Sequence, residues 1–278
     1  KWIFYFISHV DQFYIADIKP LTAFNQEEIN MKKTLIIALG LSLLAVNAQA
    51  QTPEEKGLAI AQEADRRDNG WSDQSSNMEM TLLNRQGESS KRTMRTLALE
   101  VLNDGDKSLT IFDTPRDLKG TAFLTFSHTQ GADDQWLYLP ALKRVKRISS
   151  RNKSGPFMGS EFAYEDMSSQ EVDKYTYKFL TEEPCAEGLT CFVSERYPTD
   201  EFSGYTKQVG WLDKEEYRPI KIDFYDRKNA LLKTLTFSDY QQYLGKYWRA
   251  HTLEMVNHQT GKKSIVISSS YQFKTGLK

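Results

Sequence analysis

The chain reads as a mainly β protein of the α+β class, built on an antiparallel meander. Three observations support this. Short runs of alternating, β-branched or aromatic residues recur from residue 76 to the C-terminal region. Polar turn clusters separate many of them, and a single stretch has clear helical periodicity. Strands separated by tight turns, without intervening long helices, favour antiparallel neighbours.

The helix is expected over residues 53–68 (PEEKGLAIAQEADRRD). Pro53, Glu54 and Glu55 suit a helix start, and Asn69 with Gly70 stops it. Leu58, Ile60, Ala61 and Ala64 approximate one apolar stripe. Strands are expected at 76–84, 92–102, 107–114, 120–127, 134–139, 143–149 and 175–181, then at 190–197, 205–213, 218–226, 231–238, 247–256 and 263–273. Turn signals include Asn103 to Asp106, Asp226 to Asn229, and Gln259 to Lys262. Residues 51–278 show neither a domain linker nor an internal repeat, so they are expected to form one domain.

Residues 150–174 interrupt the pattern. This segment holds two glycines, one proline and the large apolar residues Phe157, Met158, Phe162 and Tyr164. It is expected to be a lid or binding loop, with Ser168 or Ser169 capping a short helix that begins near Gln170.

Residues 31–50 carry a secretory signal: Lys32 and Lys33, an apolar run of about a dozen residues, then Ala48, Gln49 and Ala50. The run is shorter than the roughly twenty residues that span a bilayer. Cleavage is expected near Ala50, delivering the protein to the periplasm. Residues 1–30 read as an extension of the gene model and not as structure. No cysteine follows the cleavage site, so no lipid anchor is expected there.

The chain is 40% hydrophobic and 12% aromatic, a globular composition. A formal net charge of −1 argues against bulk electrostatic capture of nucleic acid or of an anionic membrane. Cys185 and Cys191 are six positions apart, and in an oxidising compartment they read as a disulfide across a hairpin end. A two-ligand metal site is the alternative, although no histidine lies close in sequence.

Catalytic signals are thin. After the signal the histidines are His128, His251 and His258, none in an H-x-x-x-H or H-E-x-x-H arrangement. The nucleophile elbow G-x-S-x-G is absent, and Gly261 to Ser264 reads as a hairpin turn. Asp133 with Asp134 and Glu165 with Asp166 are adjacent carboxylates, which point to opposite faces in extended chain and are expected to be solvated turn residues. No cofactor and no metal are expected.

A basic run, Lys143, Arg144, Lys146, Arg147, Arg151 and Lys153, marks the region of the 143–149 strand. Such a run protects a strand edge from mispairing, or it docks an acidic partner or an anionic headgroup. Arg144, Lys146 and Arg147 are the docking candidates. Aromatic and methionine side chains serve mostly as core. A curved sheet with both faces apolar can also enclose a cavity, and flexible side chains suit a flexible guest.

Three stretches, PRDLKGTAFL (115–124), DDQWLYLPALKRVKRI (133–148) and GPFMGSEFAYEDM (155–167), resemble the outer-membrane lipoprotein-sorting proteins, the longer branch of the LolA-like periplasmic carriers. The resemblance covers nearly all of residues 51–278. It implies a strongly curved antiparallel sheet, an incomplete β-barrel, covered by helices and a lid loop. It implies a hydrophobic cavity for the acyl chains of a lipoprotein or lipid, an inner-membrane transporter as donor and an outer-membrane acceptor. Phe123, Trp136, Tyr138, Phe157, Met158, Phe162 and Tyr164 are the cavity or lid candidates. Arg116 is the position the resemblance offers for a lid-latching arginine. Members of the longer branch look like companions of export pumps, so an accessory docking subunit is the alternative function. An exported hydrolase is the third reading, and it lacks a visible nucleophile–base pair.

Overall fold

The structure is a computed structural model and describes residues 51–186 and 188–278. The expected export signal and the residues before it lie outside the described residues. A helix, α1 (Pro53–Asp68), precedes the strands β1 (Asp73–Leu83), β2 (Ser89–Leu99), β3 (Lys107–Thr114), β4 (Ala122–Phe126), β5 (Asp134–Leu139) and β6 (Arg144–Ile148). After a long crossing segment come β7 (Tyr175–Ala186), β8 (Leu189–Pro198), β9 (Tyr205–Asp213), β10 (Pro219–Asp226), β11 (Leu231–Tyr243), β12 (Tyr247–Asn257) and β13 (Lys263–Phe273). All the strands expected from sequence are present. The helix expected near Gln170 is instead a single 3-10 turn, Val172–Lys174, because Ser169 Oγ bonds the Glu171 side chain and caps no helix.

The strands form one 13-stranded antiparallel sheet in the order β6-β5-β4-β3-β2-β1-β13-β12-β11-β10-β9-β8-β7. The sheet is curved and does not close. Its first six strands meander outward from β1 to one edge, and the last seven meander back from the other edge until β13 pairs with β1. The two edges, β6 and β7, are therefore consecutive in sequence. The segment joining them must cross the open side of the sheet, and this topology fixes where residues 149–174 lie.

Helix α1 begins with a capping box: Glu55 N–H donates to Thr52 Oγ1 (3.1 Å), and Thr52 N–H donates to Glu55 Oε2 (2.8 Å). It ends at Asn69, and Gly70 takes φ +103°, the left-handed region glycine favours. The helix covers the β7 edge, with Gly57 and Ile60 buried while Leu58 is exposed. The expected stripe is thus rotated, because backbone contact sets it: a Cβ on Gly57 would lie 2.8 Å from Phe179 N and 3.0 Å from Lys178 N. Cys185 and Cys191 form a disulfide with Cα atoms 5.7 Å apart, joining β7 to β8 near their hairpin.

On the first half of the sheet, His128 ties two turns together. Its Nδ1 is 2.8 Å from Asp104 Oδ2 and its Nε2 is 3.4 Å from Asp134 Oδ2. The bond to His128, followed by the Thr129 N–H, lowers the Asp104 carboxyl to about 2. Asp104, followed by Asp134 after the opposing effect of burial, holds the imidazole above its usual range. A raised histidine stabilises the fold fully below the unfolded imidazole value of about 6.5, and that stability is lost as pH rises through the folded value.

Two outcomes are expected. Gly57→Val forces the helix off β7 and lowers the urea midpoint by the equivalent of about 1–3 kcal/mol, since backbone cannot yield as a side chain would. An unchanged midpoint would show that the helix does not rest on β7. For His128→Gln, the deficit in melting temperature is largest near pH 5 to 6 and shrinks toward pH 8; a deficit that grows with pH would reverse the assignment.

Candidate functional site

Antiparallel register places alternate residues of each strand on a common face. Met94 pairs with Met78 and Phe112, Phe123 with Thr110 and Leu137, Val266 with Met80 and Leu253, and Leu235 with Met255 and Ile222. These residues define the inner face. Met80, Met94, Phe112, Phe123, Leu137, Phe224, Leu235, Met255 and Val266 are buried there in one continuous cluster.

The crossing segment fills this interior. Pro156 and Ala163 form an isolated antiparallel bridge, so residues 156–163 make a short loop that dips onto the sheet. Phe157 is fully buried, with its ring 5.0 Å from that of Phe123, 5.8 Å from Tyr164 and 6.1 Å from Phe112. Phe162 is buried, and Met158, Tyr164 and Met167 pack partly buried against the cluster. The expected lid is therefore a plug whose side chains form part of the core, and they fill the interior in place of the expected open apolar cavity.

A buried segment without strand partners must satisfy its polar groups by other means. Side chains of the sheet supply them. Arg92 donates to Met158 O (2.5 Å), Gln135 Nε2 to Tyr164 O (2.8 Å) and Lys233 Nζ to Glu161 O (2.8 Å). Glu161 N–H donates to Ser264 Oγ (2.9 Å), and Asn257 Nδ2 donates to Glu161 Oε2 (2.7 Å). Ser203 Oγ and Gly204 N–H donate to Glu165 (2.7 and 2.8 Å), whose carboxyl is raised chiefly by burial. The plug thus bonds both halves of the sheet.

Its strongest anchor is ionic. Lys233 Nζ lies 2.7 Å from Asp166 Oδ2, with side chains only 4% and 8% exposed. Tyr205 OH donates to both Asp166 oxygens (2.9 and 3.0 Å), and Ala163 N–H donates to Oδ2 (2.7 Å). Burial, then the Asp166 and Glu165 charges, pushes the Tyr205 hydroxyl well up, so it stays protonated and remains a donor. The Lys233 ammonium also sits 5.2 Å from the Tyr205 and Phe224 ring centroids.

Of the residues expected at the site, Phe123, Phe157, Met158, Phe162 and Tyr164 come together in the interior. Trp136 and Tyr138 do not. They pair with Leu124 and Ala122 and lie on the opposite, outer face, where Trp136 packs edge-on against Phe126. They alternate with the inward Leu137, and strand periodicity excludes both sets from one face. Arg116 lies exposed in the 115–121 turn; Arg92 and Lys233 are the sheet cations that bond the plug. Arg92, Lys233 and Tyr205 were not among the expected site residues, and Glu165 and Asp166, expected as solvated turn carboxylates, are instead enclosed by their partners at the plug. One signal was available for Lys233, a lysine in register with the apolar Leu235 and Phe237 of LLKTLTF.

Inner-face apolar groups beyond the plug core, Met78, Ile222, Phe237 and Leu253, are half-buried. A cleft of about 540 Å³ opens beside the plug and is lined by Lys153, Glu165, Lys174, Asp200 and Ser203 among others. The ion pairs Lys153–Asp200 and Lys174–Asp133 occupy it, so it suits a polar group and not hydrocarbon. Arg144, Lys146 and Arg147 are exposed on β6. His128 has a carboxylate at each ring nitrogen, while His251 Nε2 faces Tyr243 OH and His258 Nε2 faces Thr234 Oγ1.

A curved, open antiparallel sheet filled by a crossing segment defines a LolA-like half-barrel. A family model described as an uncharacterized protein matches residues 104–278. No curated protein matches the chain. Among solved structures, an outer membrane lipoprotein-sorting protein domain from Vibrio parahaemolyticus is 66% identical, with a TM-score of 0.79; the match covers 81% of this chain and 95% of that one. A DUF1329 family protein from Desulfovibrio piger is 30% identical over 82% and 95% of the two chains, TM-score 0.77. A LolA superfamily protein from Nitrosomonas europaea shares the fold at 20% identity over 78% and 93%, TM-score 0.63. The chain belongs to the outer-membrane lipoprotein-sorting protein family of LolA-like fold.

Lys233→Met leaves Asp166 buried without its counter-ion and is expected to cost about 3–5 kcal/mol in urea unfolding. The double variant Lys233→Met/Asp166→Leu removes both charges and should recover much of that loss. Additive losses would mean that the two residues do not act as a pair.

Proposed function

We propose that this protein is a non-enzymatic periplasmic carrier that shields the acyl chains of a lipoprotein or lipid on its way to the outer membrane. The observation that carries this reading is the filling of the interior. A sheet that does not close presents a continuous apolar inner face, and one segment held by side-chain hydrogen bonds, without ladder pairing, occupies it. Phe157 and Phe162 stand where hydrocarbon would lie. Loading exchanges these side chains for cargo, so the apolar face is never left open to water. Each methylene kept from water is worth about 0.8 kcal/mol, so a carrier needs an apolar surface that can be covered in two ways.

Kinship with an outer membrane lipoprotein-sorting domain and a disulfide suited to an oxidising compartment both support this reading. An inner-membrane transporter as donor and an outer-membrane acceptor complete the route. The residues assigned to cargo are Phe123, Phe157, Met158, Phe162 and Tyr164, with the half-buried Met78, Phe237 and Leu253 beside them.

Protein taken from its own periplasm should release an amphiphile into organic solvent and show the corresponding mass increment in native mass spectrometry. Adding a diacyl lipid to stripped protein should accelerate amide exchange over residues 155–167. Protein that carries no amphiphile, with exchange unaltered by lipid, would end the carrier reading.

A further inference from the structure

We infer that the rim formed by the β5–β6 hairpin and the neighbouring 115–121 turn docks onto an anionic lipid surface. Residues 141–147 are exposed without interruption. The chain turns through the 3-10 turn Pro140–Leu142, and Lys143 takes the left-handed conformation at φ 48°. At this apex Leu142 is 68% exposed; Val145 is 59% exposed, and Tyr138, its cross-strand partner, 39%. Leu142 and Lys143 stand at the turn; Val145 and Tyr138 lie on the outer face with Arg147, and Arg144 and Lys146, paired with Leu139 and Leu137, lie on the inner face of the same short edge strand.

The rim extends into a second turn. A Cβ on Gly120 would lie 3.7 Å from Pro140 Cγ, so the exposed Arg116 and Lys119 share the surface. The nearest strand acids are engaged elsewhere: Asp113 binds Arg95, and Asp134 binds Arg147. Asp117 in the turn lies near Arg92. The cations at the apex therefore greatly exceed the acids available to them.

A short cationic edge strand protects a sheet from mispairing, and that accounts for lysine and arginine on β6. It gives no reason for an exposed leucine and valine at the turn. An exposed rim with aliphatic and tyrosine side chains at its apex and outer face and cations at the turn and inner face matches the headgroup boundary of an anionic bilayer met edge-on. The apolar groups enter it and the cations meet the phosphates. The other sheet edge, β7, is covered by α1, so β6 is the edge left open for this contact. Arg92, which holds the plug at Met158 O, lies three residues inside the same end of β2, so docking brings the plug tip toward the bilayer. The inference extends the carrier reading, but docking is scored on cargo-free protein, so either can fail alone.

The test is co-sedimentation of stripped protein with vesicles of phosphatidylglycerol mixed with phosphatidylcholine, and of phosphatidylcholine alone. Binding is expected to the anionic vesicles and to weaken with added salt. Arg144→Gln/Lys146→Gln should weaken it about thirty-fold, from about 1 kcal/mol per cation at the surface and tenfold per 1.4 kcal/mol. Leu142→Ser should also weaken it with every charge retained. A control pair, Lys228→Gln/Lys262→Gln, removes equal charge from other turns and should bind as the parent does. Absent binding at low salt, or equal losses in the control pair, would overturn the assignment. So would rim-dependent crosslinking to a periplasmic protein without vesicle binding, which would assign the rim to a protein partner.

Discussion

The structure depends on one topological constraint: the two edge strands of an unclosed sheet are consecutive in the chain. β6 and β7 never pair, so the segment between them has to travel across the open side. An apolar inner face left to water would be costly, and the crossing segment covers it. Its own backbone then enters the interior, where unpartnered polar groups are costly as well. Hydrogen bonds donated by Arg92, Gln135, Lys233 and Asn257 and accepted by Ser264 answer that second requirement. Fold, core and anchor follow in that order.

This arrangement differs from a barrel core fixed by strand pairing. The plug adds its aromatic side chains to the cluster, yet contributes no strand to the sheet. Its attachment is concentrated in a few polar contacts, with the Lys233, Asp166 and Tyr205 group at the centre. A buried ion pair of this kind contributes modest net stability but penalises any state in which one charge loses its partner. The plug is consequently anchored to the sheet through this group. The half-buried Met78, Phe237 and Leu253 extend the apolar surface beyond the plug, where side-chain adaptability matters most.

The two edges are treated differently, and the difference has a physical basis. β7 is long and lies under α1, whose close approach is possible because Gly57 has no side chain. β6 is short, cationic and open. Hydrogen bonds left unpaired at a covered edge are shielded, whereas those at an open edge need charge or a partner. The exposed aliphatic residues at the β5–β6 apex set this edge apart from one that is merely protected.

Local pattern determined a great deal. Alternation and turn chemistry located every strand, although β7 and β11 run on past their expected ends to Ala186 and Tyr243, and Pro53 with Asn69 and Gly70 bounded the helix, because these signals act over neighbouring residues. The 133–148 and 155–167 stretches together pointed to the family. The choice of inward face lay beyond it. Several strands are apolar on both sides, and with a period of two only the pairing register tells Leu137 from Trp136 and Tyr138. Leu58 looked like the helix stripe, but Gly57 is the contact, because the distance between helix and strand is set by tertiary packing. Lys233, Asp166 and Tyr205 are far apart in the chain and acquire a shared role only when a crossing segment brings them together in a space without water.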